Sequence, residues 1–289
     1  MTGAWHGGRL TTDHERVVRR HLDAPRLVAD MSWGLVDTVV LHVRDGNRQF
    51  VVKAAGPKNH HIGREITAHE HWTGPLVSAG LIGRMVAADR RANLLITTYL
   101  PGELVEGTAV EHDPETYRQA GEALRLLHRQ HRTPDVDYEA QQQERSLRWL
   151  NGEHRIAPSI EARVREILAS WQPSPRDVVP CHGDFQPRNW LMDEERLRVI
   201  DMGRFALRPA ETDLARLTVR QWRERPTLAT AFLAGYGDDP RQGTQWSIDL
   251  LREAVGTAVW AHQVGDERFE AEGHRLLAET LMRPDLDAR

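Results

Sequence analysis

Cysteine is almost missing from this chain: Cys181 stands alone among 289 residues, which excludes an internal disulfide. Its position reads as that of a small buried residue beside a polar loop, because the adjacent His182 cannot easily turn toward it to make a nucleophile. Long apolar runs are missing too. No segment approaches the roughly 20 residues of a membrane span, and the first six residues, Met1 to His6, lack a signal-peptide apolar stretch. These absences predict a cytoplasmic protein with no membrane partner. There is no excess of positive charge either: a formal net charge of -4 and a pI near 6.4 offer no basic stripe to a nucleic acid. Lysine is the rarest cation, with Lys53 and Lys58 standing against a background of arginine that fits a high-GC coding bias. A lysine inside a strand therefore stands out. What remains, 40% hydrophobic and 28% charged residues, is ordinary for a globular chain long enough for one large domain or two lobes.

The chemistry-bearing residues concentrate in Val179-Pro180-Cys181-His182-Gly183-Asp184-Phe185-Gln186-Pro187-Arg188-Asn189-Trp190-Leu191-Met192, followed by Val199-Ile200-Asp201-Met202-Gly203. Apolar runs read as short strands that bracket an Asp, an Asn and a second Asp. Phosphoryl transfer asks a protein for little covalent chemistry, only an oriented hydroxyl and metal ions that neutralise phosphate charge. Asp184 can accept the hydroxyl proton, while Asn189 and Asp201 can offer hard oxygens to Mg²⁺. The spacing H-G-D-x-x-x-x-N followed by I-D-x-G resembles the catalytic and metal-binding loops of the aminoglycoside phosphotransferase-like small-molecule kinases, distant relatives of protein kinases.

The chain on either side agrees with that resemblance. Thr12-Asp13-His14-Glu15 reads as a capping box opening a helix to about residue 22. Val- and Leu-rich strands follow at residues 26–31, 38–43 and 49–54, the last two joined by the hairpin signal Asp45-Gly46. Ser32-Trp33-Gly34-Leu35-Val36-Asp37 falls where a kinase-like fold places its phosphate-covering loop. It carries one glycine where the protein-kinase loop has three, and Asp37 would repel phosphate if it faced inward. Lys53 closes the run Phe50-Val51-Val52-Lys53, matching the strand lysine that pairs nucleotide phosphates. In the helix expected over residues 62–72, Glu65 shares a face with Ala68, His69 and Trp72 and is the better partner for Lys53 than Glu70. His60, His61, His69 and His71 diverge along that segment and lack a completing cysteine or carboxylate, so they do not read as a metal cluster. Strands over 83–88 and 93–99 bring the sheet to five, and Leu100-Pro101-Gly102-Glu103 breaks the pattern. From Asp113-Pro114 onward the chain turns helical, with segments near 140–150, 158–171, 208–217, 226–236, 244–262 and 269–281.

The resemblance implies an α+β, bilobal, protein-kinase-like fold. A small N-terminal lobe, residues 1–100, would hold a five-stranded antiparallel sheet and one helix. A larger helical lobe, residues 101–289, would carry the catalytic loop and the acceptor site, with the nucleotide between the two. Asp184 would be the base or orienting carboxylate, with Asn189 and Asp201 as ligands of Mg²⁺. Lys53 and Glu65 would form the phosphate clamp, Ser32 and Gly34 would belong to the phosphate loop, and the backbone near Thr98, Tyr99 and Leu100 would meet the base of ATP or GTP. His182 would prop the loop, and Asp213 would match an acidic position of the family, chiefly structural. Met202 departs from the aromatic residue common after the metal-binding aspartate. The other partner would be a small-molecule hydroxyl acceptor: an aminoglycoside or other antibiotic, or a primary metabolite such as an amino alcohol, a sugar or an amino sugar. A non-catalytic nucleotide-binding regulator has no use for Asp184. From Asp238 to Arg289, eleven Asp and Glu face six Arg. The resemblance implies the acceptor site in this region, and a cationic aminoglycoside would suit such acidity. The imbalance is modest, however, and amphipathic C-terminal helices ordinarily carry solvated carboxylates, which is the stronger reading.

Overall fold

The computed structural model describes residues 4–33, 37–241 and 243–287. By compactness it divides into two units. The first comprises residues 1–130, 182–206 and 230–236, and the second comprises 131–181, 207–229 and 237–289.

The first unit is built on an antiparallel sheet of β1 (Arg26–Asp30), β2 (Val39–Asp45), β3 (Arg48–Ala54), β4 (Met85–Asp89) and β5 (Leu94–Thr98), in the order β1-β2-β3-β5-β4. Alternation along the strands sorts the faces. Leu41, Val43, Phe50, Val52 and Ala54 point one way into a core shared with Val17, Val18 and Leu22 from the N-terminal helical segment. The register pairs Val40 with Lys53 and His42 with Val51, so these four residues occupy the opposite face. β3 lies between β2 and β5, so Lys53 is on an interior strand.

The N-cap of helix α1 (Thr12–Val18) stands one residue earlier than expected. Thr11 is the N-cap: its hydroxyl oxygen accepts from the His14 backbone N–H at 3.2 Å while His14 Nδ1 accepts from the Thr11 N–H. Glu15, expected to close the box, instead accepts from Arg19 at 3.0 Å. Helix α2 (His61–His71) follows the sheet's first three strands, and a short α3 (Gly74–Ser78) that periodicity did not announce comes before β4. Helix α4 (Pro114–His128) behaves as read, with Asp113 accepting from the Glu115 N–H at 2.9 Å and Tyr117, Ala120, Leu124, Leu127 and His128 buried. A small sheet joins β6 (Glu103–Leu104) to a tight hairpin that was not foreseen as such, β9 (Trp190–Asp193) and β10 (Arg196–Val199).

In the second unit β7 (Thr133–Asp135) pairs antiparallel with β8 (Arg176–Cys181). Helices α5 (Tyr138–Leu150), α6 (Pro158–Ser170), α7 (Gly243–Val264) and α8 (Glu267–Leu281) bury Leu150, Val164, Leu168, Leu251, Val255, Val259 and Leu277 together. The segment read as one helix over 208–217 is a 3-10 turn, Ala210–Leu214, running into the short helix Ala215–Val219. Glu139, fully buried, accepts from Arg176 at 2.5 Å, from Arg252 at 2.8 Å and from the Trp171 indole N–H at 3.1 Å. Burial pushes the Glu139 carboxyl up, but the Arg252 and Arg176 charges outweigh it and hold it below its ordinary range.

The C-terminal acidity is largely absorbed within this unit. Asp249 meets Arg176, Glu253 meets Arg216, Glu270 meets Arg155, and Glu279 meets Arg223 and Arg275. Much of the local excess counted from Asp238 onward is therefore paired, chiefly with arginines earlier in the chain.

Removing Glu139 takes from two buried guanidiniums the more deeply buried of the two carboxylates they share, the other being Asp249. Glu139→Leu is expected to lower stability by about 3–5 kcal/mol, a fall in Tm on the order of 10 °C. A thermal melt within 2 °C of the parent would show that the network carries no such weight.

Candidate active site

Two elements bring distant residues together within the first unit. Strand β3 ends near Lys53, and helix α2 lays Glu65 against it: Lys53 Nζ donates to both Glu65 oxygens at 2.8 and 2.9 Å and reaches Asp201 Oδ1 at 3.5 Å. Glu70, the alternative partner, accepts from Arg90 at 2.6 Å instead. Glu65 is 4% exposed and the Lys53 side chain 16%, so the pair is shielded from water. Burial pulls the Lys53 ammonium down, yet the charges of Asp201 and Glu65 win and raise its pKa. Burial pushes the Glu65 carboxyl up, against the pull of Lys53. The Asp201 carboxyl is held low, first by Lys53.

The polar loop after β8 is fixed by its own hydrogen bonds. The Asp184 backbone N–H donates to His182 Nδ1 at 3.2 Å, which leaves Nε2 as the protonated nitrogen, donating to the Ile200 carbonyl at 3.0 Å. Both ring nitrogens are thus used in holding backbone, consistent with the propping role expected of His182. Gly183 has φ +82°, and a Cβ there would run into the Arg204 carbonyl oxygen, so only glycine fits between His182 and Asp184. Asn189 donates from Nδ2 to the Asp184 carbonyl at 2.8 Å and to Asp184 Oδ2 at 3.2 Å. Using the amide hydrogens this way turns the Asn189 carbonyl oxygen elsewhere. The Ile200 N–H donates to the Asn189 backbone carbonyl at 3.0 Å, which ties the end of β10 to this loop one residue before Asp201.

Asp201 sits at φ +66°, a left-handed conformation uncommon outside glycine, with its Oδ1 accepting from the Gly203 N–H at 3.2 Å. Non-glycine residues in such conformations concentrate at functional sites, where the surrounding structure holds them. Its side chain keeps 53% exposure, so one face of the carboxylate opens to water. The Asn189 amide oxygen and the Asp201 carboxylate are hard oxygen donors of the kind Mg²⁺ prefers, and neither the donor chemistry nor the exposure opposes a magnesium ion there.

The remaining expected site residues are placed as follows. Ser32 Oγ accepts from the Val40 N–H at 2.9 Å and caps the start of β2. Gly34 lies outside the described residues. Asp37 accepts from Asn59 Nδ2 at 2.7 Å, a partner that its sequence context did not suggest. The amides of Thr98 and Tyr99 are already used, donating to the carbonyls of Arg84 and Gln49 at 2.9 and 3.0 Å, so within this stretch only the Leu100 N–H has no backbone acceptor among the described residues. Asp213 and Cys181 are both buried, in the second unit.

A model of the Phosphotransferase enzyme family matches residues 32–246, which span β2, Lys53, Glu65, the polar loop and Asp201. The chain belongs to this family. It is a phosphotransferase of the small-molecule kinase type, acting on a hydroxyl group. Solved structures with the same fold include choline kinase LicA from Streptococcus pneumoniae, at 16% identity and a TM-score of 0.65 over 93% of this chain and 97% of that one. Another is a thermostable mutant of aminoglycoside phosphotransferase APH(4)-Ia in a ternary complex with ADP and hygromycin B, at 13% identity and a TM-score of 0.69 over 93% and 98%. A third is the macrolide 2'-phosphotransferase MphH from Brachybacterium faecium, at 18% and 0.57 over 93% and 98%. No curated protein matches the sequence of this phosphotransferase.

Three contacts of the phosphotransferase's site escaped the sequence reading. His61 Nδ1 lies 2.9 Å from the Gly203 carbonyl, joining α2 to the turn after Asp201. Gln186 Nε2 donates to Asp184 Oδ1 at 2.5 Å, and Arg188 Nη2 donates to Asp184 Oδ2 at 2.5 Å. The last two stand within the motif itself, at positions whose chemistry the motif leaves unstated.

The buried ion pair makes a stability prediction that is independent of substrate. Lys53→Met leaves Glu65 buried without its cation and is expected to cost about 3 kcal/mol, most of it recovered in the double variant Lys53→Met/Glu65→Leu. Additive losses in a denaturant-unfolding cycle would show that the two side chains do not act as a pair.

His69, on the same helix, is driven down to about 4, by burial first and by Lys53 second. Its depressed pKa means that it contributes fully above about 6.5, and that this contribution is lost as pH falls toward 4. Burial raises Asp249 to about 7, and that group acts with the opposite sign, losing its contribution as pH rises through about 7. The comparison is therefore parent against His69→Gln: the parent is expected to lose more stability between pH 6.5 and 4, by the uptake of one proton. Parallel stability curves for the two proteins would remove His69 as the titrating group.

Proposed function

We propose that this protein transfers the γ-phosphoryl group of ATP or GTP to a hydroxyl of a small molecule in a Mg²⁺-dependent reaction. The observation that carries the reading is the convergence of Lys53, Glu65 and Asp201 within 3.5 Å while Asn189 donates to Asp184 on the adjoining loop. Lys53, held by Glu65, neutralises nucleotide phosphates, and Asn189 with Asp201 holds magnesium, which when bound offsets charge on the phosphates. The acceptor oxygen attacks the γ-phosphorus, the bond from that phosphorus to the bridging oxygen of the β-phosphate breaks, and the nucleoside diphosphate leaves with that oxygen. The acceptor's proton passes to Asp184, or Asp184 orients it toward solvent. Residues 1–100 act in nucleotide binding, and 101–289 carry the catalytic loop and the acceptor site.

The relatives in fold act on different acceptors by name, choline in one case, a macrolide in another and hygromycin B in a third, so the support is for a small hydroxylated molecule as a class. The second-unit arginines that pair with the C-terminal carboxylates weaken the case for recognition of a cationic acceptor by those carboxylates, whether the acceptor is an antibiotic or an amino alcohol. No described helix is long and apolar enough to cross a membrane. A place in the cytoplasm, where nucleoside triphosphates and magnesium are plentiful, fits the proposed reaction.

Two variants separate the roles. Asp184→Asn is expected to lower transfer by roughly 10² to 10⁴, the contribution of a positioned acid–base group, with nucleotide affinity nearly unchanged. Asp201→Asn loses a charged metal ligand and is expected to weaken Mg²⁺-nucleotide binding as well as rate. Acceptor-dependent release of ADP or GDP across a panel of aminoglycosides, macrolides, amino alcohols and sugars, with calorimetry on both variants, tests the reading. Normal turnover by Asp184→Asn, or no acceptor-dependent release with any class, would overturn it.

A further inference from the structure

Asp184 is crowded by its neighbours. Its Oδ1 accepts from Gln186, and its Oδ2 accepts from both Arg188 and Asn189. Asn189 belongs where it is, since its hold on Asp184 is what presents its amide oxygen away from the loop. Arg188 is different. It forms a 2.5 Å ion pair with the carboxylate whose oxygens must meet the acceptor hydroxyl, and it sits on the oxygen Asn189 also touches.

An arginine carries five N–H donors in a planar fork. Here Nη2 is engaged, while Nε and Nη1 make no hydrogen bond among the described residues. Its side chain is 28% exposed, against 6% for Asp184, so it reaches toward solvent from a buried carboxylate. The guanidinium carbon lies 5.8 Å from the ring centroid of Trp33, which is half exposed and stands near the start of the expected phosphate loop. Arg188 thus spans the distance between the acceptor-activating carboxylate and the segment that would cover the phosphates. A guanidinium binds a phosphoryl group through two parallel N–H donors, and a dianionic phosphate attracts it more strongly than one carboxylate oxygen does.

We propose that Arg188 is a ligand of the terminal phosphate of the nucleoside triphosphate, and that it rests on Asp184 until that phosphate arrives. The inference rests on the phosphotransfer reading of this site and adds a residue and an order of events to it. In the nucleotide-free protein Arg188 occupies the carboxylate. On binding, the fork turns to the γ-phosphate and Asp184 Oδ2 becomes available to the acceptor hydroxyl. The same movement places a positive charge on the group being transferred, where charge stabilisation has the greatest effect in this chemistry.

Titration calorimetry with Mg²⁺ and two probes tests this: a nucleoside diphosphate, and the β,γ-imido triphosphate of the same base, each in adenine and guanine forms. For Arg188→Gln the imido triphosphate is expected to bind at least tenfold more weakly than to the parent, while the diphosphate changes by less than twofold. Arg188→Lys keeps the charge without the fork and is expected to lose at least threefold for the triphosphate alone. If Arg188 only steadies Asp184, both probes change equally or neither changes, and the proposal is overturned. Should Arg188→Gln fail to give a cooperative melt, Arg188→Lys decides by the same comparison. A parent that binds neither probe sinks the phosphotransfer reading and this inference with it. A parent that binds both, with Arg188 indifferent between them, sinks this inference alone.

Discussion

The site depends on one buried ion pair. Lys53 is carried on an interior strand and Glu65 on the helix packed over it, and neither charge could be held at such low exposure without the other. The pair fixes α2 against β3, and α2 in turn presents His61 to the Gly203 carbonyl. The same ammonium reaches Asp201, so strand, helix and the turn after β10 are joined through a single nitrogen. A buried ion pair is weak as a device for stability alone, because a well-packed apolar pair would serve as well. What it supplies here is an anchored cation whose second carboxylate partner, Asp201, opens to water.

Asp201 shows how that anchoring is used. Its left-handed backbone is unfavourable for a side-chain-bearing residue, by an amount of order 1–3 kcal/mol. It is held there by the Gly203 N–H, by Lys53 and by the Ile200 bond to the Asn189 carbonyl. These restraints come from three separate stretches of chain. The conformation keeps the carboxylate within reach of Lys53 and of the Gly203 N–H while about half of its surface remains wet. A metal ligand needs this combination of a fixed backbone and an unblocked oxygen.

Much of this was legible in the sequence, and the reasons differ by residue. Lys53 stood out because the chain has only two lysines, and Glu65 because its spacing to Ala68, His69 and Trp72 put it on the packed face of α2. The five strands of the first sheet were legible from Val and Leu runs and from the Asp45-Gly46 turn. The cap of α1 was misplaced by one residue because two threonines stand side by side and a histidine, an unusual closing residue, replaces the expected Glu15. The runs of β9 and β10 were legible as short strands but not as one hairpin, and the short helix α3 is too brief for a periodic signal to separate it from loop. The pairing of the C-terminal carboxylates was not legible, because charge counted along the chain does not show partners such as Arg155, Arg176 and Arg216, which arrive only by folding.

Arg188 and Gln186 were hidden for another reason. A motif records which positions must hold a given chemistry, and the residues between them read as spacers. In three dimensions a spacer two or four residues from an aspartate can fold back on it, as Gln186 and Arg188 do in the loop that turns at Gly183. A carboxylate as enclosed as Asp184 needs donors for its oxygens while no substrate is present, because an unpaired buried charge is costly. Donors supplied by the loop itself meet that need, and they are also the groups that must give way when an acceptor hydroxyl approaches. Of the two, the neutral amide of Gln186 loses little by remaining, whereas the charged fork of Arg188 gains most from a phosphate. The same physics that stabilises the resting loop thereby selects which of its side chains responds to the nucleotide.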